Sequence, residues 1–150
     1  VARNLKDKKN ITVITNSVNV LTELSHHENC TVISTGGTLR PHSMSFVGPG
    51  AKQTVENYCV KKAILSAKGI SMQNGIMESN EMETEIKQAM VKAANTIFCV
   101  IDHRKFDKLS FVKMLDIEEI DFLFTDQELI HEWEQFLINK DVEWKYCNTK

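Results

Sequence analysis

Four short stretches of this sequence place hydroxyl, amide, glycine or charged residues at or just past the end of an apolar run. Thr15-Asn16-Ser17 follow Ile11–Ile14, and Gly36-Gly37 with Arg40 follow Cys30–Ser34. Ala67-Lys68-Gly69 follow Ala63–Leu65, and Asp102-His103-Arg104-Lys105 follow Thr96–Ile101. Hydroxyls, an amide and the unpaired N–H groups of a helix start suit a phosphate or sugar hydroxyls. Glycines let backbone approach a ligand closely, and three of the four residues 102–105 can carry a charge that attracts or orients an anion. Each stretch also has a plainer role. Ser17 is a good N-cap, and Gly36-Gly37 suit a turn. Asn80 and Glu83 have capping-box spacing, and Glu83 stands four residues before Lys87 in the favourable order for a surface ion pair. Asp102 and Lys105 could sit in a solvated loop. Four such ends in succession make a polar, anion-binding rim the stronger reading.

A rim needs elements to hold it. Ile11–Ile14 and Cys30–Ser34 read as strands, with a helix between them marked by Val20, Leu21 and Leu24. A loop runs from Gly37 to Gly48, and Pro49 suits the first turn of a helix reaching about Tyr58. Ala63-Ile64-Leu65 centre a third strand, followed by a loop holding Gly69 and Gly75. From Asn80, Met82, Ile86, Ala89, Met90 and Ala93 repeat at helical spacing and form one apolar face. Thr96–Ile101 is nearly all apolar, as in a parallel sheet covered on both faces, and Asp121–Phe124 repeat that pattern. Thr125 and Glu128 have capping-box spacing for a last helix burying Leu129, Ile130, Trp133, Phe136 and Leu137. Val142, Trp144 and Tyr146 alternate as a closing strand. Val1–Leu5 read as the middle of a helix. Such alternation predicts an α/β fold, a mostly parallel sheet with helices on both faces, whose ligands bind outside the carboxyl ends of the strands.

Composition narrows the classes. The 150 residues are 42% hydrophobic and 25% charged, with 18 basic against 20 acidic side chains and a net charge of −2. That balance lacks the basic stripe of a nucleic-acid domain. No apolar run approaches the ~20 residues of a membrane span. The four cysteines are scattered without a C-x-x-C pair, a usage that suits a reducing cytoplasm. His26, His27 and Cys30 are too few for a closed zinc site, so no metal and no cofactor are expected.

Taken in order, Thr15-Asn16-Ser17, Gly36-Gly37-x-x-Arg40, Ser45-x-x-Gly48-Pro49, Lys62–Leu65 with Gly69-Ile70, Glu83-x-x-x-Lys87-x-x-Met90 and Asp102-x-x-Lys105-Phe106 carry a resemblance. From about Ile11 to about Val142 the chain resembles the sensor domain of DeoR-family transcriptional regulators. The resemblance implies a fold like that of ribose-phosphate isomerase and glucosamine-phosphate deaminase. It also implies a domain that binds a phosphorylated sugar or sugar alcohol, and a helix-turn-helix whose grip on operator DNA responds. Thr15, Asn16 and Ser17 would line the effector pocket, Gly36, Gly37 and Arg40 would form its second wall, and Gly69 would stand in the third. Glu83, Asp102 and Lys105 would hold sugar hydroxyls or phosphate, and Lys87 matches the pattern but could simply pair with Glu83. Ser66 departs from a common glycine, Glu81 from a common proline, and His103-Arg104 from a smaller residue. The family's helix-turn-helix and its Gly-Thr-Thr phosphate loop are not in these 150 residues, so one sensor domain, truncated at its start, is expected. An assembly of identical subunits in the cytoplasm is expected too. An isomerase or deaminase sharing the fold is the alternative, with Glu83, Asp102 and Lys105 as acid–base groups. Fold kinship is weak warrant for catalysis, and the ordered pattern favours a non-enzymatic sensor.

Overall fold

The computed structural model describes residues 1–5 and 8–147. The chain forms two compact units, Val1–Tyr58 and Cys59–Lys150.

In the first unit a 3₁₀ turn at Ala2–Leu5 replaces the expected helix. β1 (Ile11–Thr15) leads into α1 (Val18–Leu24), which returns to β2 (Cys30–Ser34). β1 and β2 pair in parallel from Ile11↔Cys30 to Thr15↔Ser34. The β-branched runs favour the pleated surface, and Ser17 starts α1 as read from the sequence, its side chain accepting a hydrogen bond from the Val20 amide. The stretch expected to be a loop contains a hairpin, β3 (Thr38–Arg40) against β4 (Ser45–Val47). Three-residue strands are too short to show an alternation, so the sequence hid them. α2 (Pro49–Glu56) opens with Pro49 in its first turn and buries Ala51 and Val55.

The second unit is built on four parallel strands, β5 (Val60–Leu65), β8 (Ala94–Val100), β10 (Phe122–Thr125) and β11 (Glu143–Tyr146), ordered β11-β10-β8-β5. This is the parallel α/β sheet the alternation predicted. Beside it runs an antiparallel sheet of β6 (Gly69–Ser71), β7 (Gly75–Glu78) and β9 (Val112–Leu115), where the sequence suggested only a loop. Two helices complete the unit, α3 (Glu81–Ala93) and α4 (His131–Asn139). Asn80 caps α3 by accepting from the Met82 and Glu83 amides.

One core serves this unit. Leu65, Ile97, Cys99, Leu123, Trp133 and Leu137 are all buried within it. Phe106 packs edge-on to Trp133 with ring centroids 4.9 Å apart, an arrangement aromatic quadrupoles favour. Some details differ from expectation. Ala63–Leu65 end β5 rather than centre it. Met82 lies exposed on α3, while Glu83 and Thr84 are buried. α4 begins at His131, not after Thr125, because Thr125 closes β10 and its hydroxyl bonds Asp126. Ile130 therefore precedes the helix and is exposed. Val142 is buried just ahead of β11 instead of lying within it.

Candidate functional site

In the first unit, the residues after β1 spend most of their polar groups on the fold. Thr15 is buried, and its Oγ1 accepts the Ser17 amide at 3.1 Å. Asn16 holds Phe46 twice, its Nδ2 donating to the Phe46 carbonyl at 3.1 Å and its own carbonyl accepting the Phe46 amide at 2.7 Å. Ser17 Oγ takes the Val20 amide at 3.4 Å. These bonds stitch the end of β1 to the β3–β4 hairpin and to the start of α1. Gly36 and Gly37 both have positive φ, +62° and +100°. A side chain at Gly37 would run into the Val47 carbonyl and the Ala51 side chain, so this glycine lets strand, hairpin and helix close together. Gly36 has nothing within 4 Å of where a Cβ would stand. Its N–H donates to Ser34 Oγ at 3.1 Å, and its carbonyl accepts from Thr35 Oγ1 at 3.2 Å. Arg40 closes β3.

In the second unit the sheet order brings successive strand ends side by side. Ser66 follows β5, Asp102 follows β8 by two residues, and Asp126 follows β10. The short 3₁₀ turn His103–Lys105 is capped by Asp102, whose side chain accepts the Arg104 amide. Asp102 Oδ1 also accepts from Arg104 Nε at 3.0 Å, and its Oδ2 lies 3.5 Å from Lys105 Nζ. Burial pushes the Asp102 carboxyl upward, but the Arg104 hydrogen bonds and the Lys105 and Arg104 charges prevail and hold it below the ordinary aspartate value. Lys105 Nζ reaches the Ser66 hydroxyl as well, at 3.4 Å. His103 turns the other way, toward β10: its amide donates to Asp126 Oδ1 at 2.6 Å, and its Nδ1 lies 2.9 Å from Oδ2. Those hydrogen bonds lower the Asp126 carboxyl to about 2.

Lys87 reaches this edge from α3. Its Nζ donates to the Ser66 carbonyl at 2.7 Å and to Glu78 Oε1 at 2.5 Å. Glu78 is buried at the end of β7 and also accepts the Ser79 amide. The partner the sequence suggested for Lys87 was Glu83, four residues away on the same helix; the ion pair found here joins Lys87 to a strand instead. Glu83 itself is buried, not on a solvated face. Gly69 starts β6 under the backbone of Lys108, which a Cβ would strike. Beneath the edge the thiol of Cys99 is pushed up to about 12 by burial, against the pull of the Lys87 and Lys105 charges.

The structure thus gathers Lys87, Asp102 and Lys105 around one strand-end cluster in the second unit. It gathers Thr15, Asn16, Ser17, Gly36 and Gly37 around the end of β1 in the first. Sequence reasoning missed Glu78, Ser66 and Asp126 as members of the second cluster. Asp126 had a signal, since it follows the apolar Phe122-Leu123-Phe124 with one residue between, much as Asp102 follows Thr96–Ile101; Glu78 had none, because its partner is fixed by tertiary packing. Chemically, the second cluster can hold an anion through Lys105 and accept hydroxyls at Asp102. Among the described residues no three His, Cys, Asp or Glu side chains form a metal set, and no helix is long and apolar enough to cross a membrane.

The family model of the DeoR C-terminal sensor domain matches residues 1–127. YulB of Bacillus subtilis (strain 168), named an HTH-type transcriptional regulator, is 39% identical over 119 residues, 79% of this chain and 46% of that protein. The transcriptional repressor AccR of Agrobacterium fabrum is 32% identical over 127 residues, 84% of this chain and 49% of that protein. The L-fucose operon activator of Haemophilus influenzae is 28% identical over 131 residues, 87% of this chain and 53% of that protein. The chain spans about half the length of these curated relatives.

Proposed function

Because the chain belongs to the family of DeoR C-terminal sensor domains, we propose that it senses a phosphorylated sugar or sugar alcohol and passes that signal to a DNA-binding partner domain. The observation that carries the effector half is the setting of Lys105. Its ammonium stands at the carboxyl edge of a parallel sheet, where α/β folds bind ligands. It is held there by two long contacts, 3.5 Å to Asp102 and 3.4 Å to Ser66, which a phosphate oxygen would readily replace with a shorter, charge-assisted one. A relative named for the L-fucose operon supports a sugar as the effector class.

Asp102 accepts hydroxyls of the same ligand, and Lys87 acts through position rather than contact, because its charge is committed to Glu78. At the end of β1 the side chains of Thr15 and Asn16 hold the fold. Operator DNA is bound by a helix-turn-helix in the whole regulator, as the names of such relatives suggest, and effector binding relieves repression. A net charge of −2 gives these 150 residues no general affinity for DNA phosphates. The regulator works in the cytoplasm as an assembly of identical subunits, and it performs no catalysis.

The test is calorimetry of the full-length protein with phosphorylated and free sugars. Phosphorylated forms bind, and free forms do not. Lys105→Ala weakens the phosphorylated ligand by roughly 1.5–3 kcal/mol, the worth of a hydrogen bond to a charged group, while the unliganded melting temperature stays within experimental scatter. Lys92→Ala, on an exposed position of α3, leaves affinity unchanged. Equal binding of free and phosphorylated sugars would sink the phosphate reading.

A further inference from the structure

We infer that Ser66, a position the resemblance marks only as a departure from glycine, is a direct ligand of the effector's phosphoryl group and shares it with Lys105. The inference rests on the phosphate reading above and adds a specificity-determining residue to it.

Three observations lead to this residue. First, the Ser66 hydroxyl is already engaged as an acceptor by Lys105 Nζ at 3.4 Å. A hydroxyl has one proton to donate besides its acceptor sites, and among the described residues that proton has no acceptor. Since Ser66 is exposed, a phosphate oxygen can reach it from solvent. Second, the ammonium and the hydroxyl are adjacent donors. An anion placed across them takes one hydrogen bond from each, and the ammonium's field strengthens the hydroxyl as a donor. Third, the backbone that presents Ser66 is fixed before any ligand arrives. Its carbonyl accepts Lys87 Nζ at 2.7 Å, and Lys87 is anchored in turn on buried Glu78. The next residue, Ala67, is buried, and the Lys68 amide donates to the Met77 carbonyl at 2.9 Å. A donor held in place this way gives up little freedom on binding, which is where preorganised sites gain affinity.

Local charge agrees. Lys87, Arg104 and Lys105 pair with Glu78 and Asp102, Asp126 is engaged by His103, and exposed Lys68 lies two residues beyond Ser66, so these four cations stand against three carboxylates. An excess of positive charge remains for a dianionic phosphoryl group. A glycine at position 66 would keep the carbonyl bond to Lys87 but lose the second donor. Serine there therefore sharpens the choice of a phosphate over a neutral sugar.

The experiment titrates the full-length protein with inorganic phosphate and with a hexose 6-phosphate, comparing wild type with Ser66→Ala, Ser66→Thr and Lys105→Ala. Ser66→Ala is expected to weaken both probes about tenfold, and Ser66→Thr to restore affinity to within about threefold, as the loss and return of one hydrogen bond imply. The melting temperature without ligand should not change. If Ser66→Ala binds as tightly as wild type, or tighter, while Lys105→Ala is weakened, the serine merely rests against Lys105 and the inference is overturned alone. If wild type binds neither probe, or Lys105→Ala is also unaffected, the phosphate reading falls with it.

Discussion

At the scale of single residues, the side chains that matter most are tied to partners far away in sequence. Lys87 and Glu78 form a largely buried pair, and removing one partner leaves the other charged and uncompensated, which costs roughly 3–5 kcal/mol. Lys87→Met should therefore lower stability by an amount in that range in urea unfolding, whereas the double change Lys87→Met with Glu78→Leu should cost clearly less. Equal losses in the single and double variants would show that the pair is not what holds the two elements. Asp126 gives a second test through pH. Its folded carboxyl titrates at about 2 because His103 donates two hydrogen bonds to it, below the ordinary value of about 3.9. A depressed carboxyl stabilises the fold above its unfolded pKa, and that contribution disappears as pH falls toward the folded one. The melting-temperature advantage of wild type over Asp126→Asn should thus be full at pH 5 and fade between about 4 and about 2. A difference independent of pH would rule the ion-paired carboxylate out as its source. None of these pairings was legible in the sequence beyond the residue types themselves. Lys87 has an acidic neighbour at helical spacing, and only the fold shows that its ammonium leaves the helix for β7 and the loop after β5.

Elements were read well where a repeat was long or a cap was strong. The seven residues of β8 and the thirteen of α3 carry enough periods to be unmistakable, and Ser17 and Asn80 mark their helix starts through side-chain bonds that the structure contains. Most strands of three or four residues show no period, the apolar β10 and the alternating β11 being the exceptions. β3, β4, β6, β7 and β9 were accordingly read as loops or left unassigned. Thr125 misled for a physical reason, because a threonine ending a strand and a threonine capping a helix look alike until the following residues turn. Gly69 shows how such short strands are nonetheless specified. Its missing side chain lets the Lys108 backbone lie against β6, and Ile70 bridges to Phe106 just beyond the Asp102–Lys105 turn. Gly69→Ala should force that loop outward and destabilise the protein by roughly 1–3 kcal/mol, the usual cost of overpacking. Gly50→Ala, where nothing lies within 4 Å of the added carbon, is the comparison. Chemical denaturation of both variants decides it, and equal stabilities would mean that Gly69 is not needed for close approach.

For the whole molecule, alternation of strand and helix revealed the α/β class, but not the division into two compact units. The boundary after Tyr58 falls between α2 and β5 with no glycine, proline or charge run to announce it, so composition was silent there. What the parallel sheet of the second unit does to its central thiol reaches beyond folding. Cys99 lies on β8, flanked by β5 and β10, and is fully enclosed with a thiol near 12. Cys59 and Cys147 are exposed, and Cys30 is partly so. Only thiolates attack disulfide reagents, and they must be reachable. At pH 8 an aromatic disulfide should therefore label the other cysteines quickly and leave Cys99 unmodified until the sheet itself comes apart. The late phase of that reaction is then a clock for the opening of the sheet. Any effector that secures the strand ends should slow that clock, even though it never touches the sulfur.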